Sequence, residues 1–355
     1  MTNTAPRLRL THLPVPFVGA PMAGGPSTPA LAAAVTAAGG LGFLAGGNRP
    51  VDGLRADVEA VRSLTDGPFG VNLFVPQVAN TAASAPPVDD AVHRSLEAYR
   101  AALEPVARRY GVALPAVDPA DDDGWAAKLD AVEELRVPVV SFTFGLPETG
   151  VFERLAGAGV TTSVTVTSAA EAAASARAGA DLLTVQGPHA GGHRGTHRAE
   201  DVPGEEPLAE LVAAVRAVVD LPVVAAGGIA SAADAAGVLA AGADAVQVGT
   251  LLLRTHEAGT SSVHRQALVS GRYAETTVTR AFSGRLARAV RNGFVDRFTN
   301  MAPAAYPEIN QLTRPVRAAA ARAGDPEAVA LWASPSFAAA RECSAADVVR
   351  EIVPG

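Results

Sequence analysis

The sequence predicts an α/β fold, a (β/α)8 TIM barrel with a smaller, mostly helical lid region. Eight short apolar runs alternate with alanine-rich stretches, Gly or Pro bounds the runs, and one helix–strand unit recurs within the chain. Continuous apolar runs suit strands buried on both faces of a parallel sheet. Eight strand–helix alternations favour a closed barrel over an open sheet.

The runs are Phe17–Ala20, Leu41–Ala45, Phe69–Phe74, Val137–Phe142, Val160–Val166, Leu182–Val185, Pro222–Ala226 and Ala245–Val248. In the repeat, Ser168-Ala-Ala-Glu171 precedes Ala178-Gly-Ala-Asp181 and a strand, and Ser231-Ala-Ala-Asp234 precedes Ala241-Gly-Ala-Asp244 and a strand. Each Ser with an acid three residues on marks a helix N-cap, and each Ala-Gly marks a helix stop. The copies lie 63 residues apart (Ser168 to Ser231), which fits two βα units of about 30 residues each.

Two stretches break this rhythm. Residues 76–123 are too long for a βα loop and are expected to hold a helix over His93–Arg109 and an acidic turn at Asp121–Asp123. Residues 251–335 are polar and Arg-rich. The expected organisation is therefore a barrel over 1–250 with an insertion at about 76–123, a helical substrate-covering region over 251–335, and a C-terminal helix within 336–355 returning to the barrel.

Composition narrows the function classes. The chain has 355 residues, 48% of them hydrophobic, and a formal net charge of −7 without a basic block, which argues against nucleic acid or an anionic membrane as partner. Cys343 is the sole cysteine, so neither an intrachain disulfide nor a thiolate metal cluster is expected. The N-terminus lacks an apolar signal region, and no run of about 18 apolar residues occurs, so a cytoplasmic protein is expected. A homodimer stays open as the assembly.

The chemistry is carried by glycine motifs at strand ends. Gln186-Gly-Pro-His-Ala-Gly-Gly-His-Arg-Gly195 follows the sixth run. Gly191 and Gly192 bare the backbone just before His193, so a flat ligand could lie against the main chain with an imidazole at its reactive edge. Gly227 and Gly228 end the seventh run, and Gln247-Val-Gly-Thr250 ends the eighth. In barrels, amides at these two places form a phosphate cup with a helix N-terminus. No G-x-G-x-x-G follows a strand, so a mononucleotide, FMN, fits better than FAD or NAD. At the first strand end, Pro21 and Gly24-Gly25 would expose main-chain groups toward the barrel axis, Ala20, Pro21 and Met22 are candidate cofactor contacts, and Asn72 could offer its amide to a heterocycle.

From about Phe17 to Trp332 the chain resembles the nitronate monooxygenases, formerly called 2-nitropropane dioxygenases, which are FMN-dependent (β/α)8 enzymes. The resemblance rests on Ala-Pro-Met-Ala-Gly-Gly, Gly-Val-Asn-Leu-Phe, Ser-Phe-Thr-Phe-Gly-Leu-Pro (141–147), Ala-Gly-Gly-His-Arg-Gly, Ala-Ala-Gly-Gly-Ile, Gln-Val-Gly-Thr, Arg280-Ala-Phe-Ser-Gly-Arg-Leu-Ala-Arg288 and Tyr306-Pro-Glu-Ile-Asn310. It implies FMN contacts at Asn72, Gln186, Gly191, Gly228, Gln247, Val248, Gly249 and Thr250. It also implies that Met22 and its neighbours lie against the isoalloxazine, and that His193 is the base toward nitroalkanes. The implied activity is oxidation of alkyl nitronates, with electrons passing to FMN and on to O2.

The chain departs from the family pattern at Thr143, where many relatives have a second histidine, at His189, where an acid is usual, and at Trp332-Ala-Ser-Pro335. A hydroxyl at Thr143 can hydrogen-bond a nitronate oxygen but is no base near neutral pH. Thr143 and His189 are thus candidate substrate contacts. Arg285 joins them, because Arg280, Arg285, Arg288 and Arg291 have near-helical spacing and could attract a carboxylate-bearing nitronate. His189, His193 and His197 are four apart, but the intervening glycines exclude a helical metal site, and no metal is expected. Two other readings stay open. One is an FMN-dependent reductase using NAD(P)H on a quinone or enoyl thioester, and the other is a non-catalytic flavin-binding protein.

Overall fold

The computed structural model describes residues 8–77 and 90–354. Residues 78–89 of the expected insertion, and the chain ends, lie outside them. Eight parallel strands form one sheet: β1 (Phe17–Gly19), β2 (Gly42–Ala45), β3 (Phe69–Phe74), β4 (Val139–Thr143), β5 (Thr161–Val166), β6 (Leu182–Gln186), β8 (Val223–Ala226) and β9 (Ala245–Val248). The sheet runs β1-β9-β8-β6-β5-β4-β3-β2, and a parallel bridge from Val18 to Leu41 brings its two edges together. This is the predicted (β/α)8 barrel. β5 is buried along its whole length, as a strand packed on both faces must be.

The outer layer comprises α1 (Pro29–Ala37), α2 (Val51–Leu64), α4 (Trp125–Glu134), α5 (Thr149–Gly157), α6 (Ala169–Ala178), α7 (Leu208–Arg216) and α8 (Ala232–Ala240), with α12 (Ala345–Ile352) packed against both α1 and α8. The Oγ atoms of Ser168 and Ser231 cap α6 and α8 by accepting from Glu171 N and Asp234 N, each at 3.2 Å. The acids reach one residue further back than a capping box requires: Glu171 accepts from Thr167 N at 2.6 Å, and Asp234 from Ala230 N at 3.0 Å. Gly179 ends α6 at φ +106°, where a side chain would be strained.

Three apolar clusters divide the interior. The largest joins barrel and outer helices. A small one sets Leu10 and Leu13 against Val18, Phe43, Val139, Leu182 and Val224. The third lies above the barrel and unites Leu96, Tyr99 and Leu103 of α3 (Asp90–Arg109) with Phe282, α10 (Gly293–Phe298) and α11 (Glu308–Arg322). Insertion and covering region thus share one core. Among the described residues no helix is long and apolar enough to cross a membrane.

Residues 280–291 are not the helical face that their arginine spacing suggested. β10 (Thr276–Thr279) pairs antiparallel with β11 (Ala287–Val290), and β11 pairs with β7 (Gly192–His193). The β-branched run Thr276-Thr-Val-Thr279 and the turn at Gly284, with φ +86°, favour a strand pair over a helix. Intervals of three to five residues are a weak helical signal without a matching apolar stripe.

Candidate active site

A cavity of about 510 Å³ opens at the C-terminal ends of the strands. Fifteen of the seventeen sequence-predicted residues line it: Ala20, Pro21, Met22, Asn72, Thr143, Gln186, Gly191, Gly192, His193, Gly227, Gly228, Gln247, Val248, Gly249 and Thr250. His189 and Arg285 do not. His189 is exposed on the loop beside Gly228. Arg285 is 1% exposed, and its guanidinium donates to Gln77 Oε1 at 2.9 Å and to the carbonyls of Thr196 and Phe144, each at 3.2 Å. Its side chain is spent on fixing loops behind the cavity wall, so it is not positioned to meet a substrate.

His193 is brought to the cavity by tertiary pairing. Its residue sits opposite Ala287 of β11, and Arg194 N donates to Leu286 O at 2.8 Å. Gln186 clamps the same loop: its Nε2 donates to His193 O at 2.9 Å, and its Oε1 accepts from Gly195 N at 2.8 Å. The imidazole lies between Phe144 and Trp332, with ring centroids 5.3 and 5.0 Å away. Its Nε2 is 2.8 Å from Ser283 Oγ, while Arg285 N approaches that same oxygen at 3.3 Å. Nδ1 has no partner among the described residues. Burial, then the positive charges of Arg285 and Arg317, push the His193 pKa down to about 3. The ring is therefore neutral at physiological pH, with an unprotonated ring nitrogen.

A second buried histidine, His264 of α9 (Ser262–Ala267), also lines the cavity, and burial lowers its pKa to about 4. Both folded histidines resist protonation, whereas unfolded ones bind protons as pH falls below about 6.5. The unfolded chain then carries more protons, so stability should fall as pH drops from about 6.5 toward the folded values. The slope is up to about 1.4 kcal/mol per pH unit per histidine. Urea midpoints between pH 7 and pH 5 check this, and His264→Gln should flatten the slope.

On the same cavity, Asn72 is 3% exposed and donates from Nδ2 to Ser141 Oγ and Thr143 Oγ1, each at 2.9 Å. These bonds fix the amide and leave Oδ1 without a partner among the described residues. Thr143 Oγ1 also lies 3.2 Å from Thr165 Oγ1. Phe144 follows with φ +77°, a strained conformation for a bulky residue. Its ring is held by Phe74, by Tyr306 and by the Arg285 guanidinium 4.3 Å from its centroid.

The glycines of the expected phosphate cup have a different basis from the one the sequence suggested. Gly227 and Gly228 have φ of +108° and +80°, and a β-carbon there would fall 2.9 Å from the Ala190 backbone N or 2.8 Å from His189 Cβ. Glycine is required by backbone conformation and by the neighbouring loop. The N-terminus of α8 is already engaged by Ser231 and the Asp234 carboxylate. What remains for an anion are the amides of Gly227, Gly228, Gly249 and Thr250, none of which meets an acceptor among the described residues. Their donors suit a phosphate. With Asn72 Oδ1 across the cavity, they fit a mononucleotide.

Sequence reasoning missed several wall residues: Asn48, Thr165, Thr184, His264, Asn310, Arg314 and Arg317. The signal for the last three was readable as polar residues at helical intervals on one face of α11. Asn48 and His264 carried no local signal.

A closed parallel barrel with a neutral histidine and unengaged amides at its C-terminal rim defines an enzyme of the (β/α)8 class. The chain belongs to the nitronate monooxygenase family, whose sequence pattern matches residues 6–355. It is 35% identical over 344 residues to a probable nitronate monooxygenase of Staphylococcus aureus strain JH9, covering 95% of this chain and 92% of the relative. Among solved structures it is similar to a nitroalkane oxidase from Streptomyces ansochromogenes, with 46% identity, a TM-score of 0.90, and coverage of 97% of this chain and 96% of that one. It is also similar to FabK from Thermotoga maritima, at 28% identity and a TM-score of 0.72 over 97% of this chain and 93% of that one. The protein is accordingly an oxidoreductase acting on nitronates, in a flavin-dependent family.

Proposed function

We propose that the protein oxidises alkyl nitronates with O2, using FMN reduced by the substrate. The observation that carries this reading is a neutral imidazole opening on a cavity whose rim also offers unengaged amides. The amides of Gly227, Gly228, Gly249 and Thr250 would hold the phosphate, and Asn72 Oδ1 would accept from the ring system. Ala20, Pro21, Met22, Gly191 and Gly192 would shape the ring's bed, while Gln186 keeps the His193 loop in register. FMN, when bound, supplies the two-electron acceptor.

This chain's own residues would orient the substrate and handle its proton. With Ser283 Oγ accepting from His193 Nε2–H, the Nδ1 lone pair is free to remove the α-proton of a nitroalkane. Thr143 Oγ1, on the cavity wall, would donate to a nitronate oxygen. Phe144 and Trp332, packed against the imidazole, would limit its contact with water.

The similarity to FabK supports a second reading, reduction of FMN by NAD(P)H on the same scaffold. Anaerobic stopped-flow with a nitronate, NADH and NADPH in parallel separates them. We expect rapid bleaching by the nitronate and little by either nicotinamide. The reverse pattern rejects the oxidase reading.

A further inference from the structure

The inward faces of β4, β5 and β6 are polar, where barrel interiors usually carry branched apolar side chains. Residues two apart on a strand share a face. One face gives Val140, Phe142, Val164, Leu183 and Val185 to the core beneath the outer helices. The other gives Ser141, Thr143, Ser163, Thr165 and Thr184, and the three threonines line the cavity. Proton removal at His193 and donation by Thr143 make no direct use of Thr165.

Thr165 is 7% exposed, and its side chain is set by a tight neighbour. A β-carbon on Gly195 would stand 2.6 Å from Thr165 Cγ2, so the methyl packs against the backbone just beyond His193. A β-branched side chain has little freedom at χ1, and seating the methyl there also sets the hydroxyl. Thr165 Oγ1 lies 3.2 Å from Thr143 Oγ1 and has no other partner among the described residues. Thr143 Oγ1 already accepts from Asn72 Nδ2 at 2.9 Å. A hydroxyl has two acceptor positions and one hydrogen. The contact between the threonines uses one of their two hydrogens, and the other meets no acceptor among the described residues.

We infer that Thr165 is a positioning residue: its hydroxyl donates to Thr143 Oγ1, fills the second acceptor position there, and locks the Thr143 hydroxyl as a donor to the nitro oxygens of the substrate. The proposal rests on the nitronate reading above for the identity of the acceptor, and on the hydrogen count alone for the direction of the bonds. As His193 removes the α-proton, the C–H electron pair becomes the C=N bond, and negative charge moves onto the nitro oxygens. With both acceptor positions taken by the protein, Thr143 presents only its hydrogen to that charge. Two incoming bonds also polarise its O–H. A donor fixed before the charge develops needs no reorganisation when it does.

The test is anaerobic flavin reduction by nitroethane in the FMN-loaded protein. Thr143→Val should slow it by about 10²-fold, the loss expected for one donor to a developing oxyanion. Thr165→Val should slow it by about tenfold, within the range for coupled neighbours, in kcat and with KM nearly unchanged. Thr165→Ser keeps the hydroxyl and should recover most of that loss. The double valine variant should be no slower than Thr143→Val alone, because Thr165 acts through Thr143. Losses that multiply in the double variant overturn the proposal, and so does a parental rate in Thr165→Val. A Thr165→Val protein that binds FMN more weakly in a fluorescence titration, yet keeps the parental rate once loaded, also overturns it, because the hydroxyl then serves the cofactor. Thr165→Ala replaces the valine variant if that one does not fold. If nitroethane leaves the parent's flavin oxidised, calorimetric titration with propionate, whose carboxylate has the shape of a nitronate group, decides the assignment. Failure of ethyl nitronate to bleach the flavin as well would reject the oxidase reading alone. Propionate binding weakened about threefold or more in Thr165→Val, the worth of one hydrogen bond, and restored in Thr165→Ser supports the assignment. Equal affinity in the parent and Thr165→Val, or no binding to either, overturns it.

Discussion

Replacing His193 by Asn should slow anaerobic flavin reduction by a nitroalkane by about 10²–10⁴-fold, the usual contribution of a positioned base. The imidazole is neutral because burial and two nearby arginines disfavour its charged form. It is oriented by Ser283 and by the pairing of its strand with β11. Asn keeps polarity and approximate size but cannot take up a proton. A preformed nitronate has already lost its α-proton, so the variant should lose much less activity toward it. Stopped-flow traces with nitroethane and with ethyl nitronate measure the two rates. Equal losses on both would mean that His193 only shapes the cavity, and the assignment of a base would have to be abandoned.

Gly191→Ala should cost the protein most of its FMN and about 1–3 kcal/mol of stability, the range for overpacking a tight interior. The added methyl would stand 2.6 Å from both Ala333 C and Ser334 N, and neither backbone atom can rotate away. Ser334 N donates to Thr250 Oγ1 at 3.0 Å, so displacing this segment also disturbs the rim where the phosphate is expected. The mutation therefore reaches the loop before His193 and the rim at Thr250 through one contact. FMN content after dialysis and the thermal midpoint of the variant are the measurements. A yellow protein with parental stability would show that the 333–334 segment yields without consequence.

The reason for that sensitivity differs from the one legible in the sequence. Gly191 reads as a residue bared for a ligand, yet the space beside it belongs to a backbone segment more than 140 residues away. At Gly227 and Gly228 the space is likewise taken, by Ala190 and His189 of the loop after the preceding strand. The motif identifies where glycine is demanded, and packing supplies the demand. Arg285 marks the opposite limit. Its charge and its neighbours in the sequence suggest a ligand, but which acceptors surround it depends on where Gln77, Phe144 and Thr196 arrive from other elements.

What the chain determines locally is its strands, its helix caps and the rim of the barrel. Apolar runs, Ser with an acid three residues on, and glycines at strand ends are short-range signals, and each acts within its own βα unit. The eight runs therefore locate the eight strands, and most of the rim residues follow from their strand ends. Tertiary structure alone decided the other half of the cavity. Whether α3 shares a core with α10 and α11, whether residues 276–290 pair as strands, and which cations line the cavity all depend on contacts between segments far apart in sequence. Those contacts are set by burial of Tyr99, Phe282 and Phe298 in a common core, which no local pattern encodes.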